Sequence, residues 1–310
     1  IKTKQAQSEA EDHGDRSDDL WIRFDYACGC KCDQHLVEVA MKNSDKLYRE
    51  GILNAVDTAW AGREVTYFDL TDSTNTQARI LAENGAPHGT LVVADQQDGG
   101  KGRRGRSWVS PAGEGIWMTI LLRPEMNPIN ASMLTLVMAL AAEKGIRETT
   151  GQKSLIKWPN DLVLNKKKIC GILTEMSTEQ MEIKYVLIGI GINVSQTEFP
   201  DEIKETATSL YKESGELIPR SKIIAGIMSA LEEYYEIFMK TEDMSGLIEE
   251  YNERLVNLGN EVCILDPKGE FRGVSTGINA AGGLMVRLED GSETEVISGE
   301  VSVRGVYGYV

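Results

Sequence analysis

The chain has 310 residues, 41% hydrophobic and 26% charged, which is room for two or three domains with a full-sized core. A net charge of −15 runs against binding nucleic acid over a broad face, so any anion site must be a local basic island. No apolar run reaches the roughly 18 residues of a membrane span, and no basic-then-apolar leader opens the chain, so a cytoplasmic protein without membrane attachment is expected.

Residues 1–50 show no clear period. The first twenty are polar, with acidic residues outnumbering basic ones, a composition expected to be mobile. Cys28, Cys30 and Cys32 then stand close to His35. The C-x-C spacing, with no second pair, falls short of zinc-ligand geometry, and five cysteines give no disulfide framework. Cys170 and Cys263 lie in apolar runs and read as core thiols.

From Gly51 the pattern sharpens. Residues Glu64–Phe68 are strand-like, and Asp72 or Ser73 offers an N-cap for a helix over Thr74–Asn84 that Gly85 ends. Thr90–Ala94 reads as a buried strand, followed by a glycine- and arginine-rich loop from Asp98 to Ser107. Ile116–Leu122 is a strand and Ser132–Thr149 a long helix. Leu155–Trp158, Asp161–Leu164, Lys168–Glu175 and Tyr185–Asn193 are successive strands, with a tight turn at Asn165–Lys167. Helices over Ser221–Lys240 and Met244–Val256 follow. Without strict β-α-β alternation, the pattern predicts an α+β domain. The tail has five short strands at close spacing: Glu261–Leu265, Phe271–Ile278, Leu284–Leu288, Thr294–Ile297 and Val301–Val303, the pattern of a small β-barrel.

Four segments carry chemistry. Gly99–Arg106 packs one lysine and three arginines among glycines between two hydrophobic strands. Glycines allow close backbone approach, loop N–H groups can form an anion nest, and guanidinium groups bind phosphate or carboxylate. A localisation signal is the plainer alternative for a basic run, but it belongs on a tail rather than inside the best-patterned domain. Lys157–Asp161 places a lysine at the edge of an apolar strand, where it either snorkels to water or holds a fixed charge over a ligand. Ser73-Thr74-Asn75 opens a helix, and its plainer role is capping. Gly189-Ile190-Gly191-Ile192-Asn193 puts glycines inside a strand, which suggests close approach by a ligand or backbone.

Taken in order, these segments resemble the biotin protein ligases over Gly51–Val310. The family loop usually reads GRGRRGR, and Gly100–Arg106 reads GKGRRGR, so Lys101 keeps the charge of the first arginine but not its planar fork. The KWPND strand matches Lys157–Asp161, the S-T-N helix start matches Ser73–Asn75, and Gln97 matches a biotin-contacting glutamine. Cys170–Leu173 and Gly189–Asn193 match two later strands.

The resemblance implies an α+β catalytic domain of the class II aminoacyl-tRNA synthetase-like type with a mixed sheet over residues 51–257. An SH3-like barrel over residues 258–310 is implied with it. It further implies that biotin and ATP, with Mg²⁺, are condensed to biotinyl-5′-adenylate. Biotin then passes to a lysine of a biotin carboxyl carrier protein. Lys157 and Arg103 are the implied catalytic residues. Biotin is assigned to Ser73, Thr74, Asn75, Gln97, Gly100, Lys101, Gly102, Arg103, Lys157 and Gly171. The nucleotide is assigned to Arg104, Arg106, Trp108, Asn160 and Asn193. No dedicated protein metal cage is expected, as is usual for Mg²⁺.

A lipoate or octanoate ligase is the nearest alternative, disfavoured because a ureido group suits the Ser-Thr-Asn and Gln97 set better than an apolar tail does. Many family members also carry an N-terminal winged helix and repress biotin genes, and a homodimer is left open for this chain. Residues 43–52 look like the linker after such a wing, but residues 1–42 lack a helix-turn-helix period and a basic recognition helix. That segment is read as a decayed or out-of-frame remnant, and DNA binding is not expected.

Overall fold

The computed structural model describes residues 45–265, 269–297, 302–305 and 309–310, within a unit spanning Ala40–Val310. The expectations for the cysteine cluster, His35 and the winged-helix remnant lie outside the described residues. The elements run α1 Arg49–Ala55, β1 Val65–Thr71, α2 Thr74–Glu83, β2 Thr90–Gln97, β3 Gly115–Leu122, α3 Leu134–Thr150, β4 Leu155–Lys157, β5 Asp161–Leu164, β6 Lys167–Glu179 and β7 Glu182–Asn193. After these come α4 Leu210–Ser214, α5 Arg220–Phe238, α6 Ile248–Glu253, β8 Glu261–Leu265, β9 Phe271–Ile278, β10 Leu284–Arg287, β11 Glu293–Val296 and β12 Ser302–Gly305.

Seven strands form one mixed sheet in the order β1-β2-β3-β7-β6-β5-β4. Only β1 and β2 are parallel, joined by α2, and the remaining pairs are antiparallel. Both faces are covered, so β3 is buried at every position. Alternation sorts the side chains: Leu91 and Val93 join the main core with α3 and α5, while Val92 points the other way, under α2 with Ala78 and Ala82. The helical stretch Pro128–Thr150 has the length and apolarity of a membrane span by composition, but 72% of that window is buried in the core. Its apolar character is that of a core helix.

Differences from the expected elements have local causes. Helix α1 runs across the boundary placed at residue 50 because Ile52 is part of the core. The expected helix over Met244–Val256 is helical only at Ile248–Glu253, since the Met244 N–H donates to Ala280 O (2.8 Å) rather than starting a helical ladder. Helix α4 was not expected, although Ser209 caps it through its side chain and Gly215 ends it in the left-handed region. Asn165 and Lys166 both take positive φ, a two-residue hairpin turn as predicted. A second such turn at Gln180-Met181 lacks the Asn-Gly signature, so β6 and β7 run further than the pattern indicated.

The five tail strands form an antiparallel sheet in the order β11-β10-β9-β8-β12. In β8, Val262 and Ile264 point inward, which turns Cys263 outward to a half-buried position and corrects its reading as a core thiol. Cys170 is fully buried. The barrel is tied to the larger sheet by Trp158, whose indole N–H donates to Gly282 O (3.0 Å), and by Asn252, which accepts from the Ile278 N–H (2.9 Å).

Candidate active site

The parallel register of β1 and β2 sets Thr71 beside Gln97, so the end of β2 lies against the start of α2. Gln97 Oε1 accepts from the Thr74 backbone N–H (2.8 Å) and the Thr74 hydroxyl (3.2 Å), while its amide nitrogen donates to Ser110 Oγ (2.9 Å). Asn75 is fixed at both ends. Its amide nitrogen donates to Glu175 (2.8 Å), and its oxygen accepts from the Thr119 hydroxyl (2.6 Å). Ser73 occupies the N-cap position, yet its side chain makes no cap bond and lines a cleft instead. Asp72 does not cap through its side chain either, and its Oδ1 accepts from Gln77 and Thr71.

The cleft opens on the α2 face of the sheet. Its floor follows from period two: Ile188, Ile190 and Ile192 enter the core, so Gly189 and Gly191 face the cleft. A Cβ on Gly189 would meet Asn75 Oδ1 at 2.1 Å, and one on Gly191 would meet the Trp108 ring at 2.5 Å. Gly171, the register partner of Gly191, lies under the same indole. Among the described residues, the buried Trp108 Nε1–H has no hydrogen-bond partner. An orphaned donor of this kind costs about 1–3 kcal/mol until an acceptor meets it.

The basic loop is a folded hairpin. The Gly102 N–H donates to Arg106 O (2.7 Å) and the Trp108 N–H to Gly100 O (2.9 Å), with Arg104 and Gly105 at positive φ at its tip. The Gly102 and Trp108 N–H groups are thus spent inside the loop and are not among the donors an anion nest would use. Arg103 Nη1 donates to Asn160 Oδ1 (2.7 Å), and Lys101 Nζ donates to the Thr76 hydroxyl (3.2 Å).

Of the residues singled out from sequence, the structure gathers Ser73, Thr74, Asn75, Gln97, Lys101, Gly102, Arg103, Trp108, Asn160 and Gly171 around this cleft. Gly100, Arg104, Arg106, Lys157 and Asn193 are not in its lining. Gly100 packs on Trp108 O, where a Cβ would sit at 2.3 Å, and Arg104 and Arg106 are exposed on the loop. The Asn193 amide is taken up by Thr208 O (3.0 Å) and Gln196 (3.2 Å), which anchors the chain after β7.

Lys157 stands beside the cleft, 7% exposed, with Nζ 3.9 Å from the centre of the Tyr309 ring. Burial pulls its ammonium down to about 8; Asp161 opposes this, while Lys168, Arg304 and Arg106 add to it. Burial acts to raise the Asp161 carboxyl, but Lys168 and Lys157, with hydrogen bonds from Lys168 and Tyr309, outweigh it and hold the group below the usual carboxylate range. Lys168 Nζ is 2.6 Å from Asp161 Oδ1 and 5.1 Å from the Trp108 ring, and it lines the cleft. Sequence reasoning missed Lys168, hidden in a run of three lysines after a turn. It also missed Glu175 and Thr119, whose strand positions gave no sign that they grip Asn75, and it read Asp161 as a strand start without a part in the site. Tyr309 carried no signal.

Residues 67–193 match the Biotin/lipoate A/B protein ligase family and residues 258–304 the Biotin protein ligase C terminal domain. The bifunctional ligase/repressor BirA of Bacillus subtilis is 39% identical over 253 residues, 81% of this chain and 78% of that protein. The biotin–[acetyl-CoA-carboxylase] ligase of Paracoccus denitrificans is 32% identical over 222 residues, 70% of this chain and 91% of that one. The solved biotin protein ligase from Aquifex aeolicus, in complex with biotin and ATP, has a TM-score of 0.69 at 31% identity, covering 78% of this chain and 99% of that one. The chain belongs to the biotin protein ligase family.

Proposed function

We propose that this chain condenses biotin with ATP and transfers the biotinyl group to a lysine of a biotin carboxyl carrier protein. The observation that carries the reading is one cleft with amide-type hydrogen-bonding groups at one end and cations at the other. Ser73, Thr74, Asn75 and Gln97 form the polar end, Gly171, Gly189 and Gly191 the floor, and Arg103, Lys168 and the adjoining Lys157 the cationic end. Polar groups at a helix start suit a ureido head, and the unpaired Trp108 N–H offers a donor to the bound molecule.

In the first half-reaction the biotin carboxylate oxygen attacks the α-phosphorus of ATP. The bond to the β-phosphate bridging oxygen breaks, and pyrophosphate leaves with the electron pair. In the second, the neutral amine of the carrier lysine attacks the acyl carbon. The anhydride bond breaks towards AMP, and the amine proton passes to solvent. Neither step needs a nucleophile from the enzyme, so catalysis rests on positioning and on charge stabilisation by Lys157 and Arg103. Among the described residues, no group of three or more His, Cys, Asp or Glu can hold a metal. Mg²⁺ would enter with ATP and neutralise charge on its phosphates, as is usual for this ion.

The test is to incubate the purified chain with biotin and MgATP and to look for biotinyl-5′-AMP and pyrophosphate. Pyrophosphate release that ignores biotin and responds to lipoate overturns the reading in favour of a lipoate ligase. Lys157 acts as a cation, and burial disfavours that cation. Its charge is therefore present below about pH 8 and lost above it, far earlier than for a lysine in water at 10.5. The value of kcat/KM for ATP, which reports the free enzyme, is expected to fall on the basic side from about pH 8. Repression is not part of this proposal, and a gel shift with the gene's upstream DNA checks it: a retarded band refutes the expectation.

A further inference from the structure

We propose that Tyr309 is a positioning residue for the adenylation step: its ring supports the Lys157 ammonium and its hydroxyl occupies Asp161, which keeps Lys157 out of a direct ion pair and ready for an incoming anion. The proposal rests on the role given to Lys157 above.

The argument starts from the β4–β5 hairpin. Lys157 and Asp161 are direct register partners in that antiparallel pair. Residues so placed bring their side chains within reach, and an opposite-charge pair there forms an ion pair by default. Here it does not. Asp161 Oδ1 is taken by Lys168 at 2.6 Å, and Asp161 Oδ2 accepts a hydrogen bond from the Tyr309 hydroxyl. Among the described residues no carboxylate makes an ion pair with Lys157. Its ammonium rests instead on the Tyr309 ring, a neutral face that holds a cation without cancelling its charge.

The groups that face Lys157 are Asp161 across the hairpin, Lys168 on β6, Arg304 on β12, Arg106 from the basic loop and Tyr309. Three of the four ionic neighbours are cations, so the surroundings are electropositive and Asp161 is the one carboxylate among them. Tyr309 decides whether that carboxylate turns to Lys157. An ion-paired lysine presents a nearly neutral pair to a carboxylate or phosphate. A lysine held by a π-face presents a full charge in a buried place, where it acts most strongly on developing negative charge.

The experiment compares Tyr309→Phe, Tyr309→Leu and Lys157→Ala with the parent chain, using biotin and MgATP. Tyr309→Phe keeps the ring but frees Asp161 Oδ2 to pair with Lys157. At pH 7 its kcat/KM for ATP is expected to fall about tenfold, and the basic limb to move up by about one pH unit. Tyr309→Leu, which also removes the π-face, is expected to lose more. A purely structural contact moves the melting temperature and leaves the position of the limb alone. If Lys157→Ala is inactive while Tyr309→Phe keeps both rate and limb, the Tyr309 proposal fails and the Lys157 reading stands. If Lys157→Ala stays near the parent rate, the Lys157 reading fails and the proposal falls with it. A faster Tyr309→Phe enzyme makes the tyrosine a cover over Lys157, and that too overturns the proposal.

Discussion

Lys157→Ala is expected to slow biotinyl-adenylate formation by about a hundredfold or more, because a fixed charge at the reacting phosphate contributes roughly 3 kcal/mol to the transition state. The loss should come from chemistry and not from unfolding. The folded state disfavours the Lys157 ammonium through burial, and among the described residues no ion pair with it is broken by the change. The melting temperature at pH 7 should therefore hold or rise. Stopped-flow measurement of pyrophosphate release separates the two effects. The second half-reaction gives an internal control: supplied with ready-made biotinyl-5′-AMP, the variant should still biotinylate the carrier. A variant that adenylates at the parent rate shows that Lys157 is only a strand-edge residue.

Gly189→Ala is expected to weaken biotin binding by about a hundredfold, through Asn75. The added methyl would lie 2.1 Å from Asn75 Oδ1 and 3.0 Å from its Cγ. Asn75 cannot shift a little to make room, because Thr119 (2.6 Å) and Glu175 (2.8 Å) hold its two ends. It must rotate away and break both bonds, and each buried group left unsatisfied costs about 1–3 kcal/mol. Titration calorimetry with biotin reads the affinity loss, and a melting curve reads the smaller loss of stability. Thr119→Val, which removes the same donor without a clash, should weaken biotin in the same direction. Unchanged biotin affinity in Gly189→Ala shows that Asn75 does not contact biotin.

Both predictions turn on contacts that lie far apart in the chain. Asn75 is positioned by a residue 44 positions away and another 100 away. Lys157 is held by Tyr309, and Asp161 meets the same tyrosine at a separation of 148. Nothing in a local window marks Glu175 or Thr119, because a polar residue on a half-covered strand looks the same whether it faces water or grips a neighbour. Asn193 shows the reverse situation. It stands in a glycine-rich strand end that reads as a ligand contact, while its amide is satisfied by Thr208 and Gln196.

What the sequence by itself determined is the set of elements and the kind of chemistry. Period two in the strands and the spacing of apolar residues in α3 and α5 are consequences of backbone geometry, so they are written locally. The same is true of the Gly-Arg loop, the Lys157–Asp161 strand end and the Ser73–Asn75 helix start, short runs whose order along the chain carries the family resemblance. Only the tertiary structure decided which of these residues share a cleft, where Trp108 lies over Gly171 and Gly191, and what stands next to Lys157. Those outcomes depend on strand order and on the return of the barrel segment to the larger sheet. A charge or a hydrogen-bonding group has no fixed role until burial and its neighbours set its energy, and those neighbours are supplied by parts of the chain that no local pattern connects.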